Sequence, residues 1–188
     1  MNWFFHHPRR RAPSRERRAP RLEGLTEVPL GWAAELNAVT SSATFCASVL
    51  LTARVVAGGP MLTLDEQFFV DSFNVFLVAL TAFVGFTTAL FSRPYMRFEE
   101  QQGRVNAARL RLYHSMYQLF SFTMALCLLS NNVGILWVAL EGATLSTVLL
   151  VSLYRTPASL EAAWKYFILC SFGIAQALFG VILLYFAA

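Results

Sequence analysis

Five apolar stretches of about twenty residues, at 36–57, 68–92, 113–131, 133–154 and 162–186, constrain this 188-residue chain more than any other feature. A helix needs roughly 20 residues to cross the hydrocarbon core of a bilayer, and each stretch is near that length. Charge is correspondingly scarce, at 14% of residues, where a soluble domain carries about a quarter. Long uncharged runs alternate with short basic patches, which is the pattern of a polytopic membrane protein. The fold class expected is therefore all-α, a transmembrane helical bundle of about five membrane-spanning helices over residues 36–188. Residues 1–35 are Arg- and Pro-rich, lack periodicity, and are expected to form a disordered tail. No signal peptide is expected there, because no apolar core of adequate length follows the first arginines.

The net charge of +4 does not indicate nucleic acid. Seven of the fifteen basic residues lie in the tail (Arg9, Arg10, Arg11, Arg15, Arg17, Arg18 and Arg21), and most others flank apolar segments. Such placement orients a chain in a bilayer and meets anionic headgroups. Arg93, Arg97, Arg104, Arg109 and Arg111 fall in the connection after the second stretch, and Arg155 in the one after the fourth. The 58–67 loop and the turn Ser130–Asn131–Asn132 carry no Lys or Arg. This alternation predicts a cytoplasmic N-terminus.

Cys46, Cys127 and Cys170 stand singly in apolar segments. Their spacing fits neither a metal site nor an iron–sulfur cluster, so no cofactor is expected in this chain.

Polar residues recur at three-and-four spacing within the stretches. They are Asn37, Ser41, Thr44, Ser48 and Thr52 in the first; Asp71, Asn74, Thr81, Gly85, Thr88 and Ser92 in the second; and His114, Gln118 and Ser121 in the third. Close helix packing accounts for most of the Ser and Thr. Glu141 is different. It lies eight residues after Val133, about 12 Å along a helix axis, with Thr144 beside it. A carboxylate at that depth must be protonated or paired, and intramembrane acids are functional by default. The alternative is a protonated acid bonding a neighbouring helix. Lys165 is the single lysine, and Gln176 shares its face eleven residues on. Lysine, unlike arginine, can release its proton when desolvated. It can equally pair with Glu161, four residues earlier, at the interface.

The stretch from Ser115 to Tyr185, "SMYQLFSFTMALCLLSNNVGILWVALEGATLSTVLLVSLYRTPASLEAAWKYFILCSFGIAQALFGVILLY", resembles the antiporter-like membrane subunits of respiratory complex I (NADH-quinone oxidoreductase), Mrp-type cation/proton antiporters and energy-converting hydrogenases. Within that group it is most similar to the F subunits of hydrogenase-4, formate-hydrogenlyase-type complexes. The similarity is clear from about Asp71 onward and fainter over 36–56. It implies that Glu141 in "WVALEGAT" is the proton-transfer glutamate of the fifth helix and that Lys165 in "AAWKYF" is the recurring lysine opening the sixth. The five stretches would then be family helices two to six.

The chain departs from the family pattern in three ways. The first helix is replaced by the basic tail, the lysine-bearing seventh helix has no counterpart, and the related second half is missing. A fragment or half-subunit is therefore expected, incomplete alone and without a catalytic centre. The resemblance implies a subunit of the bacterial inner membrane contributing part of a proton-translocation pathway. Its partners would be other membrane subunits and a peripheral hydrogenase or dehydrogenase arm. Glu141 and Lys165 are the candidate proton-transfer residues, with His114, Gln118, Ser121, Thr144 and Gln176 as a possible polar pathway. A module of an Mrp-type antiporter or of complex I, and a scaffold without transport, are the alternatives.

Overall fold

The computed structural model describes residues 30–187. Five long helices follow in order: α1 (Leu30–Gly58), α2 (Ser72–Gln101), α3 (Ala107–Leu129), α4 (Val133–Val151) and α5 (Pro157–Ala187). Two three-residue strands, β1 (Met61–Thr63) and β2 (Phe68–Val70), form an antiparallel hairpin between α1 and α2. Asn37, Glu141 and their neighbours thus sit in the bundle expected from hydropathy. Four helices are long and apolar enough to cross a membrane: α1, α2, α4 with the 3-10 turn that follows it, and α5. Helix α3, which carries Arg109, Arg111, His114 and Gln118, is the most polar, and it packs against α1, α2 and α4.

Local chemistry sets the helix starts. The Asp71 side chain accepts from the Asn74 N–H at 2.8 Å, Asn106 from Arg109 at 3.0 Å, and Asn132 from Gly134 at 2.8 Å. Each satisfies an otherwise orphaned first-turn donor. The expected tight turn at Ser130–Asn132 is present, and it is tied to the hairpin. Asn131 donates from its backbone to the Gln67 carbonyl at 2.8 Å, and its side chain donates to the Glu66 carbonyl at 2.8 Å. Asn132 Nδ2 donates to Gln67 Oε1 at 2.9 Å.

Several boundaries differ from the hydropathy reading. Helix α1 begins at Leu30, inside the expected tail, while residues 1–29 lie outside the described residues. Residues 68–70, expected to open the second helix, are strand β2. Helix α2 runs through Pro94 to Gln101 instead of stopping at 92. Proline inside a helix forfeits one hydrogen bond, and here tertiary packing overrides it. Met96 is buried with Val105, Leu110 and Leu153, against Tyr113 and Tyr154. Glu99 is buried too and accepts from Arg104 Nη1 at 3.0 Å. Helix α5 starts at Pro157, five residues before the expected start, because Pro157 occupies the first helical position, where its missing N–H is harmless. Thr156 Oγ1 caps the Ser159 N–H at 3.1 Å.

A second apolar cluster, Val55, Val70 and Val75, closes the hairpin end. Between the two clusters the contacts are made largely by small and polar residues: Ala38, Ser48, Ala89, Thr123, Ala139, Ala143 and Ser146 are all buried. Small side chains of this kind let helix backbones approach. Helix α5 packs chiefly on α4, and Ala163 is the residue it buries.

Candidate functional site

Glu141 projects from the middle of α4, partly buried. The face of α4 beside it is fixed by close approach to α3. Ala139, Ala143 and Ser146 are buried there, and a Cβ built on Gly142 would lie 2.9 Å from Thr123 Cγ2. On the other flank α4 meets α5. Trp137 Nε1 donates to the Ile174 carbonyl at 3.1 Å, and Ser171 Oγ donates to Glu141 Oε1 at 3.3 Å. The two bonds lie one helical turn apart and set the register of the α4–α5 hairpin. Glu141 is thus bonded to a neighbouring helix, and no Lys or Arg among the described residues forms an ion pair with it.

Lys165 lies elsewhere. Its ammonium donates to Glu161 Oε1 at 2.5 Å, and its side chain is 74% exposed. This is the i,i+4 arrangement that the spacing allowed. Gln176 is also exposed, on the same outward face of α5. Thr144 is buried, and its hydroxyl donates back to the Leu140 carbonyl at 3.0 Å. Neither Lys165 nor Gln176 joins Glu141 in a hydrogen-bonded chain among the described residues.

The remaining polar candidates form a separate cluster between α1, α2 and α3. Gln118 Nε2 donates to Asn37 Oδ1 at 2.6 Å and lies 3.0 Å from Ser41 Oγ and 3.1 Å from the Asn37 carbonyl. Ser121 Oγ donates to the Tyr117 carbonyl at 3.0 Å. Gln118 and Ser121 line a cavity of about 30 Å³ with Ser41, Thr44, Thr81 and Gly85. His114 is buried one turn before Gln118. Close by, Glu35 of α1 pairs with Arg93 and Arg97 of α2.

The five candidates of the polar pathway therefore divide. His114, Gln118 and Ser121 lie together with Asn37 and Ser41, while Thr144 and Gln176 lie apart. Sequence reasoning missed Ser171, because the Glu141 contact depends on the pairing of α4 with α5, which no local pattern encodes. It also missed the buried Glu99, set in a segment that hydropathy assigns to a loop. Arg54 escapes a loop-by-loop charge count, since it lies inside α1, exposed, near the hairpin end. The charge alternation is incomplete at that end.

Comparison with known proteins places this geometry in context. The transmembrane family described as "NADH:quinone oxidoreductase/Mrp antiporter, TM" matches residues 130–188, which include Glu141, Lys165 and Ser171. A hydrogenase-4 component F homolog of Methylacidiphilum infernorum is 49% identical over 153 residues, covering 81% of this chain and 31% of that protein. NADH-quinone oxidoreductase subunit L of Buchnera aphidicola is 28% identical over 125 residues, covering 66% of this chain and 19% of the relative. NADH-quinone oxidoreductase subunit N 1 of Opitutus terrae is 38% identical over 78 residues, covering 41% of this chain and 15% of the relative. The chain thus spans a third or less of the length of these relatives. No solved structure matches.

Proposed function

Because the chain belongs to the NADH:quinone oxidoreductase/Mrp antiporter transmembrane family, we propose that it supplies part of a proton pathway in a hydrogenase or formate-hydrogenlyase-type membrane complex. It is a multi-pass membrane protein of the bacterial inner-membrane type. We place its N-terminus in the cytoplasm, with the arginines of residues 9–21 on that side.

Glu141 is the proton-holding carboxylate in this reading. The observation that carries it is position: a carboxyl group at mid-helix, partly buried, whose one hydrogen bond among the described residues comes from the Ser171 hydroxyl. The Ser171 hydroxyl fixes the position of the carboxyl between α4 and α5, and a carboxyl held at one place is what a relay requires. Lys165, engaged with Glu161, acts as a second charge along α5 and modulates Glu141 without touching it. Redox chemistry belongs to partner subunits of a peripheral hydrogenase or dehydrogenase arm.

The experiment is Glu141→Gln in the assembled complex, with proton translocation measured in inverted vesicles. Loss of translocation with normal assembly is expected; undiminished translocation would return Glu141 to a packing role. The similarity to NADH-quinone oxidoreductase subunit L favours a second reading, a module of a quinone oxidoreductase or a cation/proton antiporter. Purification of the complex followed by metal analysis separates the two, since nickel in a co-purifying subunit supports the first.

A further inference from the structure

Helices α1 and α3 both start at the arginine-rich end of the bundle, and they are joined where Gln118 Nε2 donates to Asn37 Oδ1 at 2.6 Å. Between them lies an open groove of about 370 Å³, within the range of about 300–1,000 Å³ usual for a small-molecule site. One wall runs from Ala33 to Thr40 on α1 and the other from Arg111 to Gln118 on α3. Each wall advances about 10.5 Å along its helix, which is short of the half-thickness of a hydrocarbon core about 30 Å across. The groove is confined to one leaflet.

Its lining is mostly apolar because the polar groups are engaged or buried. The Thr40 hydroxyl donates to the Leu36 carbonyl at 2.8 Å, Gln118 Nε2 is held by Asn37 and Ser41, and His114 is 5% exposed. What these residues leave to the groove, with Ala33 and Leu36, is chiefly hydrocarbon. Apolar space stays dry, so in a bilayer an acyl chain or another helix fills it. A membrane-spanning helix runs through both leaflets, whereas this groove ends within one.

Charge sits at one end only. Arg111 is exposed, one turn from the start of α3, where the groove meets the arginine-rich connection. Arg93 and Arg97 share Glu35, and Arg104 pairs with Glu99; Arg111 forms no ion pair among the described residues. Trp32, four residues before Leu36 on the same flank of α1, is exposed too. Tryptophan and arginine at the end of a membrane helix mark the level of the lipid headgroups.

We propose that the α1–α3 groove binds one anionic glycerophospholipid of the leaflet at the arginine-rich end. Its phosphate pairs with the Arg111 guanidinium, whose fork of donors matches phosphate oxygens. One acyl chain lies along Leu36, Thr40 and Ser115, and covers the Gln118–Asn37 bond from the bilayer side. Such a site needs only a chain that spans a bilayer and stands apart from the role of Glu141.

Native mass spectrometry of the full chain in detergent micelles, with dioleoyl phosphatidylglycerol or dioleoyl phosphatidylcholine added, tests this. One saturable phosphatidylglycerol per chain is expected, bound more tightly than phosphatidylcholine. Arg111→Gln is expected to weaken phosphatidylglycerol about fivefold, the worth of one basic residue at an anionic membrane surface. Ser115→Phe, which fills the groove from an exposed position, is expected to abolish the tight site. Equal affinity for the two lipids, unchanged affinity in Arg111→Gln, or binding that never saturates would each overturn the proposal. A dimer that Ser115→Phe dissolves would overturn it too, by assigning the groove to a second copy. If Ser115→Phe fails to fold, the comparison of Arg111→Gln with the native chain decides alone.

Discussion

The Ser171 hydroxyl on α5 reaches the Glu141 carboxylate on α4 at 3.3 Å, thirty residues away in sequence and at the middle of both helices. That single contact couples the acid to the helix that packs least against the rest of the bundle.

Ser171→Ala removes the donor and leaves the carboxyl without it. A typical net hydrogen bond contributes about 0.5–1.5 kcal/mol, and interhelical bonds in membranes average about 0.6. A small loss of thermal stability in detergent is expected, with a larger fractional loss of proton translocation. Ser171→Thr retains the hydroxyl and is expected to retain both. Equal translocation in the alanine and threonine variants would show that the bond is incidental.

Gly142→Ala places a methyl group 2.9 Å from Thr123 Cγ2. Overpacking of this kind costs about 1–3 kcal/mol, so α3 and α4 are expected to separate slightly and the thermal midpoint to fall. Thr123→Ser deletes the offending methyl and keeps the hydroxyl that donates to the Leu119 carbonyl. The double variant Gly142→Ala/Thr123→Ser is expected to recover most of the loss, which a double-mutant cycle measures directly.

Gln118→Leu breaks the bond to Asn37 Oδ1 and strands a residue that is already 2% exposed. The expected loss is about 1–3 kcal/mol, the penalty for an unsatisfied buried polar group. Replacing both partners, as Gln118→Leu/Asn37→Leu, is expected to cost less than the single change. Thermal unfolding followed by a thiol-reactive dye at the native cysteines would read the difference.

Asn132→Ala removes the N-cap of α4 and the link to Gln67 Oε1 together. Loss of a cap costs about 1 kcal/mol. Faster backbone hydrogen exchange is expected in the first turn of α4 and across β1 and β2, while the arginine-rich end keeps its protection. Uniform loss across all helices would contradict that local picture.

Much of this architecture is legible from hydropathy and caps. The turn at Ser130–Asn132 follows from two polar asparagines between apolar runs, and the Glu161–Lys165 pair from their spacing. What was hidden has physical causes. Hydropathy ends the second stretch at 92, yet the burial of Met96 and Glu99 carries α2 on through Pro94. Hydropathy likewise starts the last stretch at 162, but Pro157 opens the helix five residues earlier. The division of the polar residues into one cluster around Gln118 and another around Glu141 depends on which helices are neighbours. Periodicity places residues on a face without saying what that face meets.

The lopsided seating of α5 has a mechanical consequence. A rod held along one edge turns as a door does, with α4 as its jamb. Two contacts, Trp137 to Ile174 and Glu141 to Ser171, serve as latches. Rotation of α5 about that edge would break the Ser171 contact to Glu141, a contact in which α1, α2 and α3 take no part. Whatever leans on the outer side of that door, where Lys165 and Gln176 face outward, gains leverage over a carboxyl group it never touches.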